Sequence, residues 1–183
     1  MSSTEIIAQI IGIFAMAFNL LSYQQKSRKG AIVFQLFGTT LFTMNFLMLG
    51  AMVGGLLNLV GAIRAIIFIN KEKLRADHIA WQIGFVIVYF ASYILTFTVF
   101  DKEPTAFNFI IEFLPIIGMI ATTISYRFTD AKSIRKFGLI SSPVWLVYNI
   151  ANFSVGAILC EVLSLGSIII GIIRLDRKTK NTQ

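Results

Sequence analysis

Two glutamates stand inside long apolar runs, Glu112 within Ala106–Ser125 and Glu161 within Ala157–Leu175. A carboxylate surrounded by hydrocarbon costs at least ~2.5 kcal/mol on insertion scales, so it faces a cavity, a partner or a solute. Asn45, Asn58 and Asn149 stand in similar runs. At 1.5 Å per helical residue the two acids fall roughly 6–10 Å inside one end of their runs, and the asparagines come to similar depth. These five residues predict a polar layer that binds a solute's hydroxyls or cation, or carries a coupling proton. Trp145, inside its run and beside Pro143, is a further pocket-lining candidate. The competing reading is interhelical hydrogen bonding, worth ~0.6–2 kcal/mol per group. Arg64 and Arg174, near the opposite ends of their runs, predict either an anion-binding gate or guanidiniums that snorkel to the headgroups. Pro115 and Pro143 are expected to kink their helices.

Other chemistry is poorly provided for. His78 is the only histidine and Cys160 the only cysteine, so neither a histidine–cysteine metal cluster nor an internal disulfide can be assembled. There is no Gly-rich phosphate loop, GxSxG or HExxH motif. The expectation is a protein that is not an enzyme and holds no metal or cofactor. His78 reads as an interface residue, and Cys160 as a small packed hydrophobe.

The elements that must position these residues follow from composition. The 183 residues are 56% hydrophobic and 14% charged, with seventeen Phe and a mean hydropathy of +0.78. Soluble domains average ~45–50% apolar and about 25% charged. This composition excludes disorder, a coiled coil and a nucleic-acid-binding tail. A helix crosses the ~30 Å hydrocarbon core with ~20 apolar residues. Seven such runs occur: Thr4–Tyr23, Ala31–Leu49, Met52–Ile69, His78–Phe100, Ala106–Ser125, Phe137–Phe153 and Ala157–Leu175. Gly50-Ala51 and Ser154-Val155-Gly156 separate two pairs of them and read as tight turns. The first run carries Glu5, lacks a basic leader and is followed by basic residues, so it reads as a span rather than a signal peptide.

Seven spans sort the charges sharply. Thirteen Lys and Arg fall in the connections on one side and Lys102 alone on the other, with Arg64 and Arg174 near the basic side. The positive-inside rule then predicts an outside N-terminus and a cytoplasmic C-terminus. An even number of spans would destroy this sorting. The net charge of +7 is thereby read as topology and contact with anionic headgroups, not as a nucleic-acid site.

An internal repeat adds organisation. Ser22-Tyr23, then Lys26-Ser27-Arg28-Lys29-Gly30, two spans and Gly61-Ala62-Ile63-Arg64 recur in order as Ser125-Tyr126, Lys132-Ser133-Ile134-Arg135-Lys136-Phe137-Gly138, two spans and Gly171-Ile172-Ile173-Arg174. The offset drifts from 103 to 110 residues. The predicted fold is an all-α membrane protein of seven transmembrane helices in a 3+1+3 arrangement. Repeat 1 covers 1–70, a linking segment 71–104 holds a span at about 78–100, and repeat 2 covers 105–183 with a short basic tail. One linking helix makes two odd-numbered units parallel, with substrate sites between the units.

These residues resemble the bacterial inner-membrane YgjV family. The family's Glu-x-Leu-Pro-x-Ile-Gly stretch corresponds to Glu112-Phe113-Leu114-Pro115-Ile116-Ile117-Gly118, and its Trp, Asn, Glu and Ile-Ile-Arg pattern to Trp145, Asn149, Glu161 and Ile172-Ile173-Arg174. Ala62-Ile63-Arg64 fits the first half. The resemblance implies a multi-pass inner-membrane protein, distantly similar to SWEET and PQ-loop transporters of small solutes. The chain departs from those transporters in having no Pro-Gln pair, and only Pro115 and Pro143 lie within spans. The expected partners are the bilayer and a small polar solute or proton, with a homodimer left open and nucleic acid excluded. The competing function is a non-transporting scaffold, subunit or lipid-binding module.

Overall fold

A computed structural model describes residues 3–48, 52–151 and 155–176. The described residues are helical apart from short connections, and no strand occurs among them. The helices are α1 (Ser3–Tyr23), α2 (Arg28–Met48), α3 (Met52–Ile69), a single turn α4 (Lys71–Leu74), α5 (Ile79–Thr98), α6 (Ala106–Ser125), α7 (Ala131–Ala151) and α8 (Val155–Gly171). A π-helical turn, Ile172–Asp176, continues α8.

Side chains at the helix starts explain where helices outrun the apolar patterns. The Ser27 hydroxyl accepts the Gly30 N–H at 3.0 Å, and α2 begins at Arg28 rather than Ala31. The Asp130 carboxylate accepts the Ser133 N–H at 2.7 Å, and α7 begins at Ala131 rather than Phe137. Such caps satisfy first-turn donors that have no partner within the helix. His78 caps α5 by accepting the Ala80 N–H, and Thr105 caps α6 by accepting the Asn108 N–H. Of the two expected turns, Gly50-Ala51 and Ser154 lie outside the described residues, while Val155 and Gly156 already belong to α8 rather than to a turn. Helices α6 and α7 run through Pro115 and Pro143 without a break.

Five of the helices are long and apolar enough to cross a membrane: α1, α2, α5, α6 and the stretch Ala157–Asp176. Helix α3 contributes a shorter apolar stretch, Gly55–Ile69, and α7 carries Lys132, Arg135 and Lys136 near its start. Large apolar side chains cover the outside; Ile13, Ile87 and Ile110 are each more than 60% exposed. Water would penalise so much contiguous apolar surface, whereas lipid accepts it.

Neighbour packing runs α1–α2–α3–α5–α6–α7–α8 and returns to α1, so the helices form a closed ring. Helices α2 and α7 also touch each other across it. Small residues let α1 and α2 approach closely: a Cβ on Gly38 would lie 3.2 Å from the Ala15 carbonyl oxygen. The tight interior contains Ile32, Phe68, Tyr89, Ile116 and Tyr126.

Candidate functional site: a polar cavity between two helix triplets

Inside the ring lies a partly open cavity of about 160 Å³. Its wall is built by α1, α2 and α3 on one side and α6, α7 and α8 on the other, while α5 contributes none of it. Helical spacing explains the lining: Gln35, Thr39, Phe42 and Phe46 recur every three to four residues on α2, as do Ser142, Trp145 and Asn149 on α7, with Ser141 beside them. Trp145 is seated there because α6 offers Gly118 opposite it. A Cβ on that glycine would lie 2.8 Å from the indole Nε1.

Of the residues singled out in the sequence, Asn58, Arg64, Trp145, Asn149 and Glu161 line the cavity. Glu161 lies within hydrogen-bonding reach of the Ser142 hydroxyl. Arg64 is buried, and its Nη1 donates to the Tyr89 hydroxyl (3.1 Å), the Met119 carbonyl (3.1 Å) and the Thr123 hydroxyl (3.3 Å). Its guanidinium carbon also stands 5.1 Å from the centroid of the Tyr126 ring.

The predicted single polar layer is divided. Glu112 is buried outside the cavity wall, where its carboxylate meets Lys102 Nζ at 3.1 Å and Tyr148 approaches it. Asn45 donates to the Ala8 carbonyl at 2.7 Å and ties α2 to α1. One residue from cavity-lining Phe46, it is rotated about 100° away from the cavity. Arg64 and Arg174 are not equivalent either. Arg174 is exposed on the π-helical turn, which has altered the helical phase before that residue is reached. Cys160 is buried in the cavity wall.

Below the cavity, at the end that carries the basic connections, the two triplets clasp each other reciprocally. Arg28, at the start of α2, donates through Nε and Nη2 to the carbonyl of Tyr126 at the end of α6, and through Nη2 to the Phe68 carbonyl near the end of α3. Arg135, near the start of α7, donates through Nη1 to the carbonyls of Tyr23, at the end of α1, and Gln25. Its Nε and Nη2 grip the carboxylate of Asp176 after α8. The side chains of the same tyrosines cross over as well. The Tyr126 hydroxyl donates to Gln35 Oε1 of α2, and the Tyr23 side chain lies near Ser142 of α7. Tyr23 and Tyr126 stand 103 residues apart, while Arg28 and Arg135, like Gln35 and Ser142, stand 107 apart.

Residues 6–179 match Imp-YgjV, a family described as bacterial inner membrane protein. The chain belongs to this family. No curated protein matches the chain, and no solved structure does. With its apolar helices, the chain is therefore a multi-pass protein of the bacterial inner membrane. In this inner-membrane protein the exposed Ile, Leu, Val and Phe side chains face lipid, and the polar side chains collect inside the ring.

Sequence reasoning missed the clasp. Its arginines and tyrosines were visible as matched positions of the repeat, but a basic residue at a span end already has a topological explanation. Arg28 and Arg135 hold the same place in both copies, but so do Lys29 and Lys136 beside them, and only the folded structure shows that the arginines turn inward to the clasp.

Proposed function

We propose that this inner-membrane protein is a carrier for a small polar solute, bound in the cavity between two parallel three-helix units. The units are the repeats at 1–70 and 105–183, joined by the segment 71–104, in seven spans with the N-terminus outside and the C-terminus cytoplasmic. The supporting observation is that the polar cavity is lined by all six helices of the two units and by no residue of the linking helix. A site at the boundary between units is where rocking of one against the other changes access. The reciprocal arginine clasp fits this reading as the inner gate, because every bond in it between units must break for the basic end to open. The short loops leave little surface for a scaffold to dock partners, and the absence of a nucleophile–histidine pair disfavours catalysis.

The native Cys160, the only cysteine in the chain, is a built-in reporter in the cavity wall. A carrier exposes it alternately to both sides. Membrane-impermeant thiosulfonate reagents are expected to modify Cys160 in intact spheroplasts and in inverted membrane vesicles, with Cys160→Ser as the control. Modification from one side only, or from neither, would overturn the carrier reading in favour of a scaffold.

A further inference from the structure

We propose that the solute is a small zwitterion, its carboxylate held by Arg64 and its ammonium by Glu161. This rests on the reading of the cavity as a solute site. Among the described residues, Arg64 and Glu161 are the charged residues of the cavity wall, one base and one acid. They belong to different triplets, on α3 and α8, which α1 and α2 separate in the ring. Ion pairs among the described residues are Lys102–Glu112 and Arg135–Asp176, and neither involves the cavity charges.

The surroundings of Arg64 orient it without neutralising it. Its acceptors are a phenol, a carbonyl and a hydroxyl, all uncharged, and Tyr89 and Thr123 are themselves bonded at 2.8 Å. The guanidinium keeps its proton at any working pH, so the charge stays. Its Nε, in a residue only 6% exposed, has no hydrogen-bond partner in the protein. A held guanidinium with a donor to spare is suited to a carboxylate, which takes its parallel N–H groups in a fork. Across the cavity Glu161 offers the complementary acceptor, with Ser142 beside it and Trp145 one turn further along α7. An indole face attracts an ammonium group through its quadrupole.

Ligand classes differ in what they leave behind. A sugar or polyol neutralises neither charge, a simple anion leaves Glu161 uncompensated, and a simple amine leaves Arg64 so. A zwitterion compensates both and enters with no net charge, which also lowers the barrier to carrying it through a low-dielectric interior.

Protection of Cys160, adjacent in sequence to Glu161, against thiosulfonate modification reports occupancy. The probes are alanine and 4-aminobutyrate, which differ in charge separation, with propionate, ethylamine and glycerol as single-charge and neutral controls. At least one zwitterion is expected to slow modification tenfold or more at a concentration where the three controls do not, and to raise the melting temperature of the purified protein. Arg64→Gln and Glu161→Gln are each expected to weaken that protection at least tenfold while each variant keeps a cooperative melt. Protection by propionate, ethylamine or glycerol equal to the zwitterions', or by none of the probes, overturns the assignment, and the wild-type result stands even if a variant fails to fold. Two-sided access to Cys160 without zwitterion protection refutes the solute class alone, whereas loss of two-sided access refutes the carrier.

Discussion

At the residue scale the two intramembrane glutamates part company. Glu161 faces the cavity, while the buried Glu112 lies outside its wall and pairs with Lys102, whose side chain is about a third exposed. Replacing that buried carboxylate by its neutral isostere removes a desolvation cost along with the ion pair and leaves Lys102 partly solvated, so the two effects largely offset. Glu112→Gln is therefore expected to leave ligand protection of Cys160 unchanged and to shift the melt only slightly, while Glu161→Gln removes the protection. Asn45→Ala separates the two roles differently: it deletes the bond to the Ala8 carbonyl and should cost ~0.6–2 kcal/mol of stability with unaltered protection. If Asn45→Ala abolished protection at full stability, the separation of cavity from helix contact would be wrong.

At the element scale the clasp joins the two triplets at the basic end. Gly171 is required for it, since a Cβ there would lie 2.6 Å from the Tyr23 carbonyl oxygen and 2.9 Å from Arg135 Cδ. Arg28→Gln and Gly171→Ala are each expected to raise the rate of Cys160 modification in inverted vesicles, the preparation that exposes the basic side. The two arginines should differ in stability. Arg28 binds carbonyls, whereas Arg135 neutralises Asp176, and a buried carboxylate stripped of its partner costs ~3–5 kcal/mol. Arg135→Gln should destabilise more than Arg28→Gln, and adding Asp176→Asn to Arg135→Gln should recover part of the loss. A strictly additive double variant would show that the pair contributes no coupling.

At the scale of the whole molecule, charge and apolar surface set the placement in the bilayer. The basic connections lie at the clasp end of the ring, and the proposed orientation, which follows the positive-inside rule, puts that end in the cytoplasm. A C-terminal fluorescent-protein fusion is expected to fluoresce and a C-terminal alkaline-phosphatase fusion to stay inactive. An active phosphatase would overturn the assigned orientation and, with it, the naming of the clasp as an inner gate.

Membrane residence and the helical elements were legible in the sequence because both are set locally. Apolar run length decides whether a helix can sit in lipid, and helix extents departed from the apolar runs mainly where Ser27 and Asp130 added capped turns. Azimuth was not legible. Whether a polar side chain at a given depth meets the cavity or a neighbouring helix depends on how each helix is rotated against its neighbours, and tertiary packing alone decides that. Asn45 and Asn58 look alike in the sequence, yet Asn45 binds the Ala8 backbone and Asn58 lines the cavity. Arg64 and Arg174 occupy matching places in the repeat, yet a π-helical turn turns one outward and brings Asp176 to Arg135 instead. The sequence by itself determined the solvent of this protein and the inventory of its buried charges; packing decided which of those charges meet each other and which are left facing the cavity.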